Sequence, residues 1–461
     1  MKLLFINAID TSKAVERRYS PLGLGYLCSY LRMRYPGDRI ECKVADADIE
    51  SVIDAFAPDI VGISSVSQNY NKAMAYAALA KRRGLPVLCG GVHISMLSGS
   101  LTGDMDIGVL GEGEETICDL YALFRECGGF PKERLRDIRG ICYRGNDGAL
   151  VTTGARELIA DLDSIPLPAR DLFRIGTDTY IFTSRGCPYA CTFCASSRFW
   201  KKTRFFSAGY VVREIEYLHA EYGVNRINIY DDLFCADSAR MRMIIDLLGQ
   251  KGLLGKIEFT GAVRANLVTD EMASLFKRMG FSSIGIGLES GCHRTLAYLK
   301  GEHISMSDNE QAIAALRKHG IKVYGSFIIG SPEETRADIL ETLAFVKRSG
   351  LTLFGAYLLT PYPGTPVWDY ARRRGLVDEH MDWDRLRIDF ERHPASSVIV
   401  SETLGRDELY ELIMKFMPYR DWLGLKQRVM GLARMALRAP CFIVKKFYRC
   451  GRACHGRLPA A

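Results

Sequence analysis

Two runs of short apolar segments alternate with helical stretches, and a proline-punctuated strip separates the runs. In the first, Lys2 to Asn7, Cys42 to Ala45, Ile60 to Ser64, Val87 to Gly90 and Ile107 to Leu110 read as strands. Helical patterns lie between them, around Leu24 to Arg34, Ile49 to Phe56, Lys72 to Arg83 and Glu115 to Glu126. Strands in such alternation pair in parallel, since a parallel neighbour requires a crossover. Residues 1–137 are therefore expected to form a doubly wound, Rossmann-like α/β unit with a ligand crevice at the carboxyl ends of its strands.

Arg139 to Thr152 reads as a hairpin turning at Gly145-Asn146-Asp147-Gly148, and Ile165-Pro166-Leu167-Pro168 marks a linker, so 138–174 separates two units. The second series has strands near Tyr180 to Ser184, Arg226 to Tyr230, Ile257 to Ala262, Ile284 to Leu288, Val323 to Ile329 and Leu353 to Leu359. Its helices include Ala208 to Tyr222, Ala239 to Gly249, Asp270 to Met279, Asn309 to His319 and Glu334 to Ser349. Six such units form an open (β/α)6 partial barrel over 175–380, with reacting groups at the strands' carboxyl ends. A helical, basic segment, 381–461, follows. A chain of 461 residues needs more than one core, in keeping with this division.

Directly after the first barrel strand comes Arg185-Gly186-Cys187-Pro188-Tyr189-Ala190-Cys191-Thr192-Phe193-Cys194. Three thiolates on one short loop can hold an iron-sulfur cluster with one iron left open. A zinc knuckle or three unrelated packed thiols are the competing readings, although a closed zinc site needs a fourth ligand and none stands between Cys194 and His219. Other strand ends carry Asp231-Asp232, then Arg264 and Asn266, then Glu289 among glycines, then Gly330-Ser331-Pro332. A carboxylate there could take the ammonium of an amino-acid-like ligand, and a turn or capping pair is the plainer role for Asp231-Asp232. In the first unit the strand ends are Ser64-Ser65, Gly90-Gly91-Val92-His93 and Gly111-Glu112-Gly113-Glu114, where small residues let backbone approach a large ligand. His93 is either a metal ligand or an ordinary hydrogen-bonded loop histidine.

With these motifs the chain resembles the radical S-adenosylmethionine superfamily, in its class with an N-terminal cobalamin-binding domain. The resemblance runs from about residue 1 to about residue 380 and includes Ser20-Pro21-Leu22-Gly23, Gly287-Leu288-Glu289 and Tyr362-Pro363-Gly364-Thr365. It implies that Cys187, Cys191 and Cys194 ligate a 4Fe-4S cluster whose free iron chelates S-adenosylmethionine. Reductive cleavage would then give methionine and a 5′-deoxyadenosyl radical. It implies nucleotide and methionine contacts from Phe193, Asp231, Asp232, Arg264, Glu289 and Gly330. It implies cobalamin over Ser64, Ser65, Gly90, Gly91, His93, Gly111 and Glu112, between the two units. The Asp-x-His-x-x-Gly motif that replaces the cobalamin base is absent from the first unit, and Asp378-Glu379-His380 comes near it in the wrong place. Members of the class commonly lack that histidine. The expected function is methylation of an unactivated carbon of a small-molecule or lipid-like substrate, with a reducing partner such as flavodoxin or ferredoxin. Radical cyclisation or rearrangement, or a non-catalytic cobalamin or redox sensor, are the alternatives.

Composition narrows the setting. Hydrophobic residues at 48% with 25% charged fit a soluble globular protein, and no apolar run reaches the length of a membrane span. The apolar start, Met1 to Asn7, is too short for a secretory signal, so a cytoplasmic location is expected. The net charge of +7 gathers after Arg420, which leaves the body near neutral and argues against nucleic acid as a partner. From Trp422 to Tyr448 apolar residues mix with cations at near-helical spacing. This is the pattern either of a helical cap or of peripheral contact with the inner face of a membrane. Cys450, Cys454 and His455 form an incomplete metal set and read as unpaired residues.

Overall fold

A computed structural model describes residues 1–13, 16, 20–388, 395–430 and 432–433. The basic residues from Arg434 onward, with Cys450, Cys454 and His455, lie outside the described residues.

The first sheet has seven strands: β1 (Lys2–Ala8), β2 (Glu41–Ala45), β3 (Ile60–Ser65), β4 (Val87–Gly90), β5 (Ile107–Val109), β6 (Ile141–Arg144) and β7 (Leu150–Thr152). They lie in the order β2-β1-β3-β4-β5-β6-β7, the first five parallel and the last two antiparallel. Order reverses between β1 and β3, so the crevice opens at Ala8 and Ser65 and continues past the ends of β4 and β5. The hairpin expected between the two units is instead the edge of this sheet. Its first strand buries Ile141, Cys142 and Tyr143, and pairing with β5 meets their backbone hydrogen-bonding needs.

The second sheet is all parallel, in the order β15-β14-β13-β12-β11-β8: β8 (Asp178–Ile181), β11 (Arg226–Ile229), β12 (Glu258–Val263), β13 (Phe281–Glu289), β14 (Lys322–Ile329) and β15 (Leu353–Leu358). It is the open six-stranded barrel wall. A short ribbon, β9 (Ser184–Arg185) and β10 (Arg204–Phe205), brackets the cysteine loop. Helices begin and end where local chemistry dictates. Ala208–Tyr222 starts at Ser207, whose hydroxyl accepts from Tyr210 N–H, and stops at Gly223, which is left-handed; Asp270–Met279 runs from Thr269 to Gly280 in the same way.

The linker is not loose. Arg170 is buried and donates to Glu214 at 2.7 Å and to the Tyr180 carbonyl at 2.8 Å. The segment read as a separate C-terminal unit divides between the two bodies. Trp383, Leu386, Val398 and Val400 join the core of the first sheet, whereas Leu409, Leu412, Ile413 and Phe416, on and just after the helix Arg406–Met414, pack on the barrel. No helix among the described residues is long and apolar enough to cross a membrane.

Candidate functional site

The cysteine loop is pinned at several points. Gly186 stands at φ +91°, and a Cβ there would lie 2.6 Å from the Lys202 carbonyl, so only glycine passes. Thr192 N–H donates to the Leu299 carbonyl at 2.9 Å, Val367 N–H to the Thr192 carbonyl at 3.2 Å, and Cys194 N–H to the Cys191 carbonyl at 3.2 Å. All three thiols are free and half-buried. Burial pushes the Cys187 and Cys194 thiols up, Cys194 to about 11. A soft, all-sulfur donor set on one anchored loop fits an iron-sulfur cluster.

Arg264, for which the resemblance implies a nucleotide or methionine contact, is buried against this loop: Nη1 donates to Cys191 Sγ at 3.3 Å, the guanidinium lies 3.9 Å from the Tyr189 ring centroid, and Nη2 donates to the Lys300 carbonyl at 3.2 Å. The two strand-end aspartates divide. Asp231 is buried and accepts from Thr183 N–H at 2.6 Å, Thr183 Oγ1 at 2.5 Å and Ser184 Oγ at 2.8 Å. It therefore shapes the turn leading to the cysteines and does not face a ligand. Asp232, exposed to the cavity described next, lies close enough to raise the Cys187 and Cys194 thiols further.

Glu289 is buried in the left-handed conformation at φ 61°, with its carboxylate 3.5 Å from Lys300 Nζ. Burial moves its carboxyl up, against the pull of Lys300 and Arg264. Gly330 spends its N–H on Glu334 Oε2 at 2.6 Å, and a Cβ there would meet Leu358 at 3.1 Å. It forms a packed turn at the end of its strand. Phe193 is half-buried and packs against the core of the first unit.

Between the two bodies lies a cavity of about 630 Å³, lined among others by Gly23, Ser64, Gly90, Gly91, Gly111, Glu112 and Asp232. A Cβ at Gly23 or Gly111 would meet no atom within 4 Å, and one at Gly90 would meet only Val109 at 3.9 Å. The absent side chains leave a backbone cradle, which suits a broad, flat ligand such as cobalamin. Three of the residues expected to meet that ligand are placed differently. Ser65 turns its hydroxyl to the Val66 carbonyl and does not line the cavity. His93 is buried behind the wall, Nδ1 3.0 Å from Ser67 Oγ and Nε2 3.1 Å from Ser100 Oγ. Tyr70 and Trp383 cover its ring at 3.8 and 4.4 Å between centroids, and burial pushes it down to about 3. Both nitrogens are engaged and the ring is neutral, so it presents no axial ligand. Glu112 lines the cavity but spends its carboxylate on Arg185 (2.6 Å), Arg204 (2.9 and 3.0 Å) and Ile159 N–H (2.8 Å).

Arg185 carries a role that its place before the cysteine loop does not signal in the sequence. It bridges Glu112 and, at 2.5 Å, Glu114, and so ties the glycine-rich loop of the first sheet to the residue just before Gly186-Cys187. The aromatic side of the cavity, Tyr180, Phe182, Phe199, Trp200 and Tyr230, was also missed. Its signal was available in part, since Phe199-Trp200 follows the cysteine loop directly.

Family comparison agrees with this two-body site. The B12 binding domain model matches residues 12–121, and the Radical SAM superfamily model matches residues 181–346. The chain belongs to the radical S-adenosylmethionine superfamily, in the class that carries a B12-binding domain. It is a radical SAM enzyme whose domains imply a 4Fe-4S cluster, S-adenosylmethionine and cobalamin. It is 33% identical over 399 residues to an uncharacterized methyltransferase of Pyrococcus horikoshii, spanning 82% of this chain and 84% of that one. Over 98% of this chain and 77% of the other, it is 25% identical to the anaerobic magnesium-protoporphyrin IX monomethyl ester cyclase of Cereibacter sphaeroides. The fold is shared with the radical S-adenosylmethionine methyltransferase TsrM of Kitasatospora setae, solved with cobalamin and a 4Fe-4S cluster. The TM-score is 0.68 at 19% identity, covering 82% of this chain and 78% of that one.

Proposed function

We propose that the protein is a cobalamin-dependent radical methyltransferase acting on an unactivated carbon of a small molecule. The observation that carries this reading is one cavity shared by both bodies: the glycine-rich strand ends of the first sheet face Asp232 and the approach to the cysteine loop across it. When bound, the cluster supplies an electron for cleavage of S-adenosylmethionine, and cobalamin supplies a transferable methyl group. Cys187, Cys191 and Cys194 hold the cluster. Asp232 takes the ammonium of S-adenosylmethionine, because Asp231 and Glu289 already spend their carboxylates on Thr183, Ser184 and Lys300. Ser64, Gly90, Gly91 and Gly111 cradle cobalamin, with no histidine on its cobalt. The electron comes from an external donor of the flavodoxin or ferredoxin kind.

Anaerobic reconstitution with iron and sulfide, followed by titration with cobalamin under absorbance, tests the reading. Gly90→Leu fills the cradle and is expected to weaken cobalamin binding by at least about tenfold, while the melting temperature stays close to that of the unsubstituted protein. Methyl transfer proceeding equally well without cobalamin would sink the proposal. The cyclase relative favours ring closure as a second reading, and the two separate by whether the product gains a carbon.

We further propose that the C-terminal helical stretch rests on an anionic membrane surface. Trp422, Leu425, Val429 and Leu432 are 50, 60, 56 and 62% exposed at helical spacing, with Lys426 and Arg428 among them. The protein is expected to co-sediment with anionic vesicles at low salt and to be released by high salt. Absence of any vesicle binding removes the idea.

A further inference from the structure

The cavity has two unlike sides. Opposite the glycine cradle, Tyr180, Phe182 and Tyr230 form a joined ring platform. Tyr180 is fixed first: its hydroxyl donates to the Ser20 carbonyl at 2.8 Å and accepts from Leu22 N–H at 3.1 Å. Phe182 and Tyr230 then meet its ring edge-to-face at 5.4 and 5.5 Å between centroids, and each other at 6.2 Å. Edge-to-face contacts of this kind hold rings in set orientations. Yet Tyr230 remains 59% exposed, the most open aromatic ring among the described residues. An aromatic ring held in place and left open on a cavity wall marks a surface built for a ligand.

The charges lining the cavity are nearly cancelled. Arg185 pairs with both Glu112 and Glu114, Arg204 completes Glu112, and the Arg185 guanidinium lies 5.4 Å from the Trp200 ring centroid. Asp232, beside the cysteines, is the remaining carboxylate on the lining, and it is assigned above to S-adenosylmethionine. What the platform offers is therefore aromatic area without a free cation among the described lining residues. Such a surface rewards flat, uncharged rings and penalises an ionised group, which would lose water without gaining a partner.

We propose that this platform seats the substrate, and that the substrate is a neutral molecule with a flat, conjugated ring system lying on Tyr230. The inference rests on the function proposed above, because it takes the space between the cysteine loop and the glycine cradle to be where the substrate reacts.

The test uses the holoenzyme with cluster, cobalamin and S-adenosylmethionine in place and no reductant, so that neither adenine nor corrin can be mistaken for the substrate. Naphthalene and decalin, of equal carbon skeleton but flat and puckered, are compared by equilibrium dialysis, together with naphthoate and naphthylmethylammonium. Naphthalene is expected to bind about tenfold more tightly than decalin and than either charged analogue, the size of one aromatic contact. Tyr230→Ala is expected to remove that preference, and Tyr230→Phe to keep it within about threefold. Equal binding of decalin, tighter binding of a charged analogue, no binding of naphthalene, or a preference unchanged in Tyr230→Ala would each overturn the proposal. Adding reductant to the same samples reads S-adenosylmethionine cleavage separately. Failure of cleavage in the unsubstituted protein counts against the proposed function, whereas the ring preference stands or falls on the dialysis.

Discussion

Serine in place of Cys191 brings reductive cleavage of S-adenosylmethionine below about one-thousandth of the unsubstituted rate, since nothing else in the site lowers that barrier. The reason lies in ligand counting and protonation together. Burial raises the Cys187 and Cys194 thiols, Cys194 to about 11, so in the unloaded protein both are protonated at neutral pH. Metal binding must displace those protons, and the stability of the loaded loop depends on all three bonds forming together. Arg264 Nη1 donates to Cys191 Sγ and so helps to fix where that sulfur stands. Serine supplies a harder oxygen in its place. The visible absorbance of the reconstituted cluster is expected to fall with the activity, while the circular dichroism spectrum is retained, because the cysteines are half-buried loop residues and not core. Cys235→Ala is the matched control. That thiol is buried and pushed up to about 12 beside Cys187, and as a packed residue it should be dispensable for cleavage. Cleavage surviving in Cys191→Ser, or lost equally in Cys235→Ala, would show that the loop has been misread.

How far the molecule could be read from its residues depended on whether a feature was local. Ile60–Ser65 and Val87–Gly90 announce themselves because a strand buried on both faces is apolar almost without interruption. The helices Ala208–Tyr222 and Asp270–Met279 are legible to the residue, as both begin at a hydroxyl cap and end at a left-handed glycine. The cysteine triplet is legible for the same reason: all its ligands share one loop. What was hidden needed a partner from far along the chain. His93 looks like a ligand until Trp383 is found covering it. Asp231 and Asp232 are neighbours in sequence, but successive residues at a strand end point to opposite sides, and only the packed structure says which side is core. The hairpin was visible as a hairpin; that it completes the first sheet was not, because pairing with β5 is a tertiary event.

Arg185→Ala is expected to destabilise the protein by about 3–5 kcal/mol, the cost of stranding a buried charge whose partner has been removed. Glu112 and Glu114 are buried beside it, and Glu114 has its contact with Arg185 as its ion pair, whereas Glu112 keeps Arg204. The large effect belongs to breaking the set and not to the set's net worth. The double change Arg185→Met with Glu114→Gln should therefore recover much of the loss, because Glu112 keeps Arg204 and no buried ion is left without its partner. The pH dependence gives a second handle. Burial acts to raise the Glu112 carboxyl, but Arg204 and Arg185 outweigh it and hold the group below its ordinary value of 4.5. A depressed carboxyl contributes stability that is present above the unfolded value and lost as pH falls through the folded one. Denaturant midpoints of the unsubstituted protein and Glu112→Gln should thus differ most at neutral pH and converge as the solution is acidified below about 4.5. Because the pair also ties the cobalamin side of the cavity to the residue before Gly186-Cys187, Arg185→Ala should loosen cobalamin retention even under conditions where the fold persists. A variant that loses neither stability nor cobalamin would mean that the Arg204–Glu112 contact suffices at this seam without Arg185.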